Sequence, residues 1–210
     1  MEACVDSVGA ALEAEALGAD RIELCAGLPV GGLTPSAGAM SMAGERLRIP
    51  FHVLVLPRAA GYVLTGDDLE VMRRDIAMAR AARAAGVVVG ALRDDGTVDQ
   101  DTMAQLIGWA RPMSVTFHRA FDRVPDPMAG LDQVADLGVD RVLTAGGCGP
   151  AAEGTAVLAR LVARSAGAVT ILAGGGIRAR NVVGIVRESG VREVHARDIT
   201  GIQAALAGGR

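Results

Sequence analysis

Lysine is absent from this chain, because all 21 basic residues among its 210 residues are arginines. A lysine amine forms the Schiff base in one class of aldolases and the covalent link to pyridoxal phosphate. Both kinds of chemistry are therefore excluded. No other motif in the sequence implies an organic cofactor.

Aromatic residues, cysteines and long apolar runs are also scarce. Aromatics make up 2% of the chain and the net charge is −3, with no basic stripe or aromatic platform, which argues against a nucleic-acid partner. No apolar stretch approaches the roughly 20 residues of a membrane span, so no membrane partner is expected. Three cysteines are too few for a disulfide framework, and residues 1–6 lack the pattern of a signal peptide. We therefore expect a cytoplasmic protein with reduced thiols.

Eight short apolar or β-branched runs alternate with Ala-rich helical patterns, and no linker interrupts the alternation. Strands are predicted at 2–6, 21–25, 51–56, 87–92, 114–118, 141–144, 169–173 and 193–195, with helices at 7–18, 37–46, 67–85, 99–111, 127–137, 151–165 and 178–189. Strands alternating with helices form a parallel sheet, and eight such units close into a barrel. The sequence thus predicts one small (β/α)8 TIM barrel of the α/β class over residues 1–210. About fifteen residues follow the eighth strand, which predicts a shortened C-terminal helix.

The position of the glycine-rich segment separates the barrel from an open doubly wound sheet. An open sheet of this kind normally has a Gly-rich turn after its first strand, where this chain has Asp6, Ser7 and Val8. The run Gly174, Gly175 and Gly176 instead follows the seventh strand. Many barrels hold an anion on backbone N–H groups at that place. The segment therefore favours a barrel and predicts an anion-binding loop.

The first two strands share a Glu-x-Cys pattern, with Glu2 and Cys4 on one and Glu23 and Cys25 on the other. Residues two apart on a strand face the same way, and neighbouring strands lie about 4.8 Å apart, so the two thiols can approach each other. Two thiolates suit Cu(I). The alternative is that both cysteines are small buried hydrophobic residues. His195 ends the eighth strand, which neighbours the first, and can join this cluster as a ligand, a base or a packed residue.

Two other strand ends carry candidate polar residues. Arg58 follows the third strand, where its planar guanidinium either binds an anion or pairs with an acid at the rim. The fifth strand ends in His118 and Arg119, with Asp122 close behind. A histidine at such a position is a candidate acid or base, so we predict catalytic roles for His118, Glu23 and Asp122 and a substrate-binding role for Arg119.

Six segments, in this order, resemble the CutC family of copper homeostasis proteins. They are EACVDS at 2–7, GADRIELC at 18–25, GGLTPS at 31–36, VTFHRAFD at 115–122, RVLT at 141–144 and GGGI at 174–177. The resemblance covers nearly the whole chain and implies a (β/α)8 barrel, in agreement with the count of elements. It also implies a cytosolic protein of copper homeostasis in which Cys4 and Cys25 match the positions proposed to bind Cu(I). It further implies a homodimer.

The chain departs from the family pattern at the barrel mouth. Where relatives usually have Arg-Pro-Arg-Gly-Gly-Asp, this sequence has Leu56, Pro57, Arg58, Ala59, Ala60 and Gly61. Arg197 stands where the family usually has serine, two residues beyond the histidine of the eighth strand. The family's longer C-terminal segment is also missing.

Three hypotheses follow. The first is a copper homeostasis protein that binds Cu(I) through Cys4 and Cys25. The second is an enzyme acting on a small anionic metabolite, held by Arg58, Arg119, His195 and the loop 174–176. The third is a degenerate barrel whose mouth is blocked by Leu56 and Arg197.

Overall fold

The computed structural model of the chain describes residues 1–59 and 61–208. The strands are β1 (Glu2–Val5), β2 (Arg21–Leu24), β3 (Phe51–Leu54), β4 (Gly86–Val89), β5 (Ser114–Phe117), β6 (Arg141–Thr144), β7 (Thr170–Ala173) and β8 (Glu193–Ala196). The helices are α1 (Val8–Ala16), α2 (Ala37–Arg46), α3 (Gly66–Ala81), α4 (Gln100–Ala110), α5 (Pro127–Asp136), α6 (Thr155–Ser165), α7 (Ala179–Ser189) and α8 (Ile199–Gly208).

The strands pair in chain order, all in parallel, and β8 pairs with β1 to close the barrel. The predicted (β/α)8 fold is therefore confirmed. Several predicted strands extend past the observed ends, because backbone bonds between neighbours continue there: Cys25 donates to Val5 and His118 donates to Val89. The C-terminal helix α8, predicted to be short, spans ten residues, as do α2 and α5. No described helix is long and apolar enough to cross a membrane.

Local sequence signals explain where the helices begin. The side chains of Ser7, Ser36, Thr65, Asp99 and Asp126 each accept a hydrogen bond from a backbone N–H in the first turn that follows. Such N-caps satisfy N–H groups that have no partner within the helix. Two 3₁₀ turns, Leu28–Val30 and Arg119–Arg123, lie where the sequence predicted loops. Both occupy the end of the barrel to which the strands point.

The two faces of the sheet differ in chemistry. The residues between sheet and helices are apolar and buried, including Ala3, Ile22, Val53, Val87, Val115 and Val142. The barrel interior instead contains charges, because Arg21 of β2 and Arg141 of β6 both reach Glu193 of β8 across it. Helix packing therefore supplies the apolar core, whereas the interior holds an ordered polar network.

Candidate functional site

An ionic network rises through the barrel interior towards the mouth. At its base Glu193 accepts hydrogen bonds from Arg141 (3.2 Å) and Arg21 (2.6 Å). Arg21 also donates to Glu2 Oε2 (2.5 Å), and Glu2 Oε1 lies 2.7 Å from His195 Nδ1. Burial opposes the charge on Glu2, but His195 and Arg21 hold its pKa at about 2. The network thus ends in a histidine whose second nitrogen faces the mouth.

Cys4, Glu23 and His195 meet at the floor of the mouth, with one ligand atom of each within 4.8 Å of the others. The Cys4 thiol donates to Glu23 Oε1 (3.6 Å), and His195 Nε2 lies 4.0 Å from the same oxygen. Glu23 Oε2 is buried without a hydrogen-bond partner. Thiol, carboxylate and imidazole together form a group that can bind a metal ion or move a proton.

The protonation of this group follows from its burial and charges. Burial would lower the pKa of His195, yet Glu23 and hydrogen bonds to Cys4 and Glu2 raise it well above its ordinary value. Burial raises the pKa of Glu23. Hydrogen bonding with Cys25, burial and the charge of Glu23 raise the pKa of the Cys4 thiol. At neutral pH the floor therefore holds a neutral thiol beside an imidazolium.

Cys25 lies directly behind Cys4. Its thiol donates to the carbonyl of Val5 (3.3 Å), and its side chain is 1% exposed, against 8% for Cys4. Both cysteines pack with Leu54, Leu56 and Val88. The structure therefore brings the two thiols together as predicted, with Cys4 facing the mouth and Cys25 beneath it.

His118 stands on the side of the mouth formed by β5. Its Nδ1 accepts a hydrogen bond from the backbone N–H of Ala120 (3.2 Å), which leaves the proton of a neutral ring on Nε2. Nε2 is buried and has no partner. Burial lowers the pKa of His118 to about 4, and the ring packs on Tyr62 at 4.9 Å between centroids. His118 is thus a neutral hydrogen-bond donor near neutral pH.

Asp122 positions Arg119. Asp122 Oδ2 accepts from Arg119 Nε (2.8 Å), while its Oδ1 accepts from Thr144 Oγ1 (2.5 Å) and from the N–H of Ala145 (2.9 Å). The carboxylate is therefore fixed on both oxygens by β5 and β6 residues. The structure places Asp122 behind Arg119, whereas the sequence suggested a catalytic role for it.

An open pocket of about 350 Å³ lies above this floor. Of the predicted site residues, those that line it are Cys4, Glu23, His118, Arg119, Gly175, Gly176 and His195. Leu56 and Arg197 also line it and leave it open, so the blocked mouth of the third hypothesis is not observed. Ala59 and Gly61 are exposed, and Ala60 is outside the described residues.

Other predicted residues lie away from the pocket lining. Arg58 donates from Nε and an Nη to Asp68 (2.8–3.1 Å) at the start of α3, which is the pairing with a rim acid that the sequence left open. Gly174 continues the β6–β7 ladder by donating to Thr144 (2.9 Å). Sequence reasoning missed Tyr62 and Arg178, which line the pocket from loops after β3 and β7. Neither forms a motif with its neighbours, so only the geometry reveals them.

The buried histidines predict a pH dependence of stability. Burial lowers the pKa values of His52 and His118 to about 4. A histidine kept neutral in the fold binds a proton on unfolding, so its contribution falls as pH drops from about 6.5 towards 4. His195 acts in the opposite sense, because its raised pKa stabilises the fold most below about pH 6.5. The effect of one histidine therefore has to be isolated by a variant.

We expect His52→Gln to lose less stability than the wild type on acidification. Between about pH 7.5 and pH 5.5, the wild-type loss should exceed that of the variant by roughly 1.4 kcal/mol. Urea unfolding at the two pH values measures this difference. Equal losses in the two proteins would show that His52 is not held neutral.

Comparisons with known proteins agree with the architecture. A family model described as the CutC family matches residues 1–200. The chain is similar to the copper homeostasis protein cutC homolog of Homo sapiens, with 45% identity over 195 residues that cover 93% of this chain and 71% of that protein. It is also 44% identical over 196 residues to the family protein CutC of Sinorhizobium medicae (strain WSM419), covering 93% of this chain and 80% of that one.

Solved structures show the same likeness. The crystal structure of the putative copper homeostasis protein CutC from Streptococcus agalactiae matches with a TM-score of 0.91 and 30% identity, over 95% of this chain and 98% of that one. A structure described as an aldolase matches with a TM-score of 0.73 at 10% identity and therefore shares the fold alone.

Proposed function

This chain belongs to the CutC family of copper homeostasis proteins, and we propose that it binds Cu(I) through the thiolates of Cys4 and Cys25 at the floor of the barrel mouth. The observation that carries the proposal is the contact between the two thiols beside His195. Thiolate and imidazole are ligands suited to Cu(I). Copper is here the cargo of the protein.

The residues around the thiols fit a metal ligand set. Glu2 contacts Nδ1 of His195, so Nε2 is the nitrogen left to face Cys4. A carboxylate behind a histidine is a common arrangement around metal-ligating imidazoles, because it fixes the ring orientation and raises its basicity. Glu23 accepts the hydrogen bond of the Cys4 thiol and is the nearest acceptor for its proton when the thiolate forms. We therefore expect copper affinity to rise with pH.

The test is a titration of reduced, oxygen-free protein with Cu(I) against a competing chelator. We expect the wild type to bind more tightly than about 1 μM, a free energy near −8 kcal/mol. Cys4→Ser and Cys25→Ser should each weaken binding by about a hundredfold or more. Cys148→Ser is the matched control and should bind like the wild type, because Cys148 lies in an exposed loop and contacts the carbonyl of Asp122. Wild-type affinity in the Cys4→Ser, Cys25→Ser double variant would contradict the proposal.

A second candidate function is an enzyme that acts on a small anionic metabolite. The specific observation in its favour is the pocket of about 350 Å³ above the thiols, which exceeds the space that one ion needs. In that case Glu23 and His118 are the candidates for proton transfer. Turnover that is lost in His118→Asn and kept in Cys25→Ser would favour this function over copper binding.

The cytosolic location and the homodimer stay predictions. Free thiols at Cys4, Cys25 and Cys148 suit a reducing compartment. Cell fractionation and the mass of the protein in solution test these two points.

A further inference from the structure

The side of the pocket formed by β5 and β7 has the chemistry of an oxyanion site. Arg119, Arg178 and Arg197 all line the pocket, together with Gly175 and Gly176. The floor adds the imidazolium of His195, against a single acid, Glu23. Positive charge thus predominates in the pocket, although the chain as a whole carries a net charge of −3.

Arg119 is fixed in place before any ligand arrives. Its Nε is bound to Asp122, which is itself held by Thr144 and Ala145, so the two terminal nitrogens of the guanidinium are left to face the pocket. A guanidinium oriented in this way can bind two oxygens of a phosphate or a carboxylate at once. Because the side chain is already ordered, binding costs less conformational entropy.

The loop after β7 is shaped around that guanidinium. A Cβ on Gly175 would lie 3.2 Å from Cζ of Arg119 and 3.0 Å from Cβ of Ala145, so only glycine fits without displacement. Gly175 and Gly176 both have positive φ, at +102° and +74°. Among the hydrogen bonds of the described residues, the N–H groups of 175–177 donate none. Successive free N–H groups in such a turn form a concavity that binds anions.

A second, independent feature points into the same pocket. His118 is 5% exposed, lines the pocket and has an Nε2 without a partner. Its Nδ1 is occupied by the N–H of Ala120, so Nε2 carries the proton and requires an acceptor. A buried polar atom left without a partner costs about 1–3 kcal/mol, which a ligand oxygen can recover.

We propose that Arg119 and the N–H groups of Gly175 and Gly176 bind the phosphate or carboxylate of a small organic molecule, one of whose other oxygens accepts a hydrogen bond from His118 Nε2. The pocket volume of about 350 Å³ equals roughly a dozen water molecules at about 30 Å³ each. It therefore suits a compound of about a dozen non-hydrogen atoms. This site does not depend on the copper proposal, because none of these residues is a proposed copper ligand.

The experiment is equilibrium binding to reduced, metal-free protein, with inorganic phosphate, glycerol 3-phosphate and glycerate as probes. The two organic probes distinguish a phosphate from a carboxylate as the preferred oxyanion. We expect saturable binding of at least one organic probe at or below about 1 mM. Arg119→Gln should weaken every probe that binds by about tenfold or more. His118→Phe should weaken the organic probes and leave inorganic phosphate unchanged, because His118 contacts the other end of the molecule.

Two further variants make the result specific. Gly175→Ala should weaken all probes, since its Cβ displaces the Arg119 guanidinium. Arg74→Gln removes one positive charge from the exposed side of α3 and should bind as the wild type does. Repeating the titration in Cys4→Ser separates the two proposals, because that variant should lose copper and keep the organic probe. No saturable binding by about 10 mM, or equal weakening in Arg74→Gln and Arg119→Gln, would overturn the oxyanion site.

Discussion

Replacing Glu2 by glutamine is expected to lower the free energy of unfolding by about 3 kcal/mol or more. The carboxylate is fully buried and contacts both Arg21 and His195. Removing one partner from a buried ion pair leaves the others uncompensated in a medium that solvates charge poorly. Arg21 keeps Glu193 as a partner, which places the expected loss at the lower end of the range of about 3–5 kcal/mol for such changes. Urea unfolding measures it.

Glu70→Gln is the matched control for this prediction. Glu70 also accepts hydrogen bonds from two arginines, Arg73 and Arg74, and their guanidinium groups also hold its pKa at about 2. It lies on the exposed side of α3, where water screens the charges and ion pairs contribute little. We therefore expect little measurable change in stability. A similar loss in the two variants would show that burial is not what makes the Glu2 network important.

Gly44→Ala is expected to destabilise the fold by about 3 kcal/mol. Gly44 lies in α2, and a Cβ there would come within 1.9 Å of the backbone carbonyl oxygen of Ala82 at the end of α3. A backbone atom cannot rotate away, so α2 has to move outward and open the packing of Met40 and Ala43 beneath it. Overpacking of this kind costs about 1–3 kcal/mol and sometimes more, which exceeds the helix propensity that alanine adds.

Gly108→Ala provides the contrast in sign. Gly108 lies within α4, and no heavy atom lies within 4 Å of the place its Cβ would occupy. Alanine there should stabilise the protein by up to about 1 kcal/mol, because it restricts the unfolded chain and favours the helix. If the two variants shift the unfolding midpoint in the same direction, close contact between α2 and α3 is not the reason that Gly44 is glycine.

The copper and oxyanion proposals place two kinds of chemistry in one pocket. The thiols lie at the floor by β1 and β2, while Arg119 and the Gly175–Gly176 turn form the side by β5 and β7. His195 lines the same pocket from β8, with its Nδ1 bound to Glu2. Binding of each ligand in the presence of the other would measure how strongly the two sites interact.

The site was predictable from sequence where a residue's position on its strand decided its direction. Cys4, Glu23 and His195 lie at the ends of neighbouring parallel strands, so strand alternation was enough to predict that they meet. The roles of Asp122 and Arg58 were not predictable in this way. Each follows the end of its strand, and its partner comes from a different segment: Thr144 and Ala145 for Asp122, and Asp68 for Arg58.

The sequence by itself determined the barrel, its eight parallel strands and the polar residues at their carboxyl ends. These properties depend on local periodicity, which a chain of alternating strands and helices carries in every segment. The tertiary structure alone decided that Cys25 lies beneath Cys4, that Asp122 orients Arg119, and that the mouth stays open beside Leu56 and Arg197. These properties depend on contacts between residues far apart in the chain, and the spacing of residues within a strand contains no information about them.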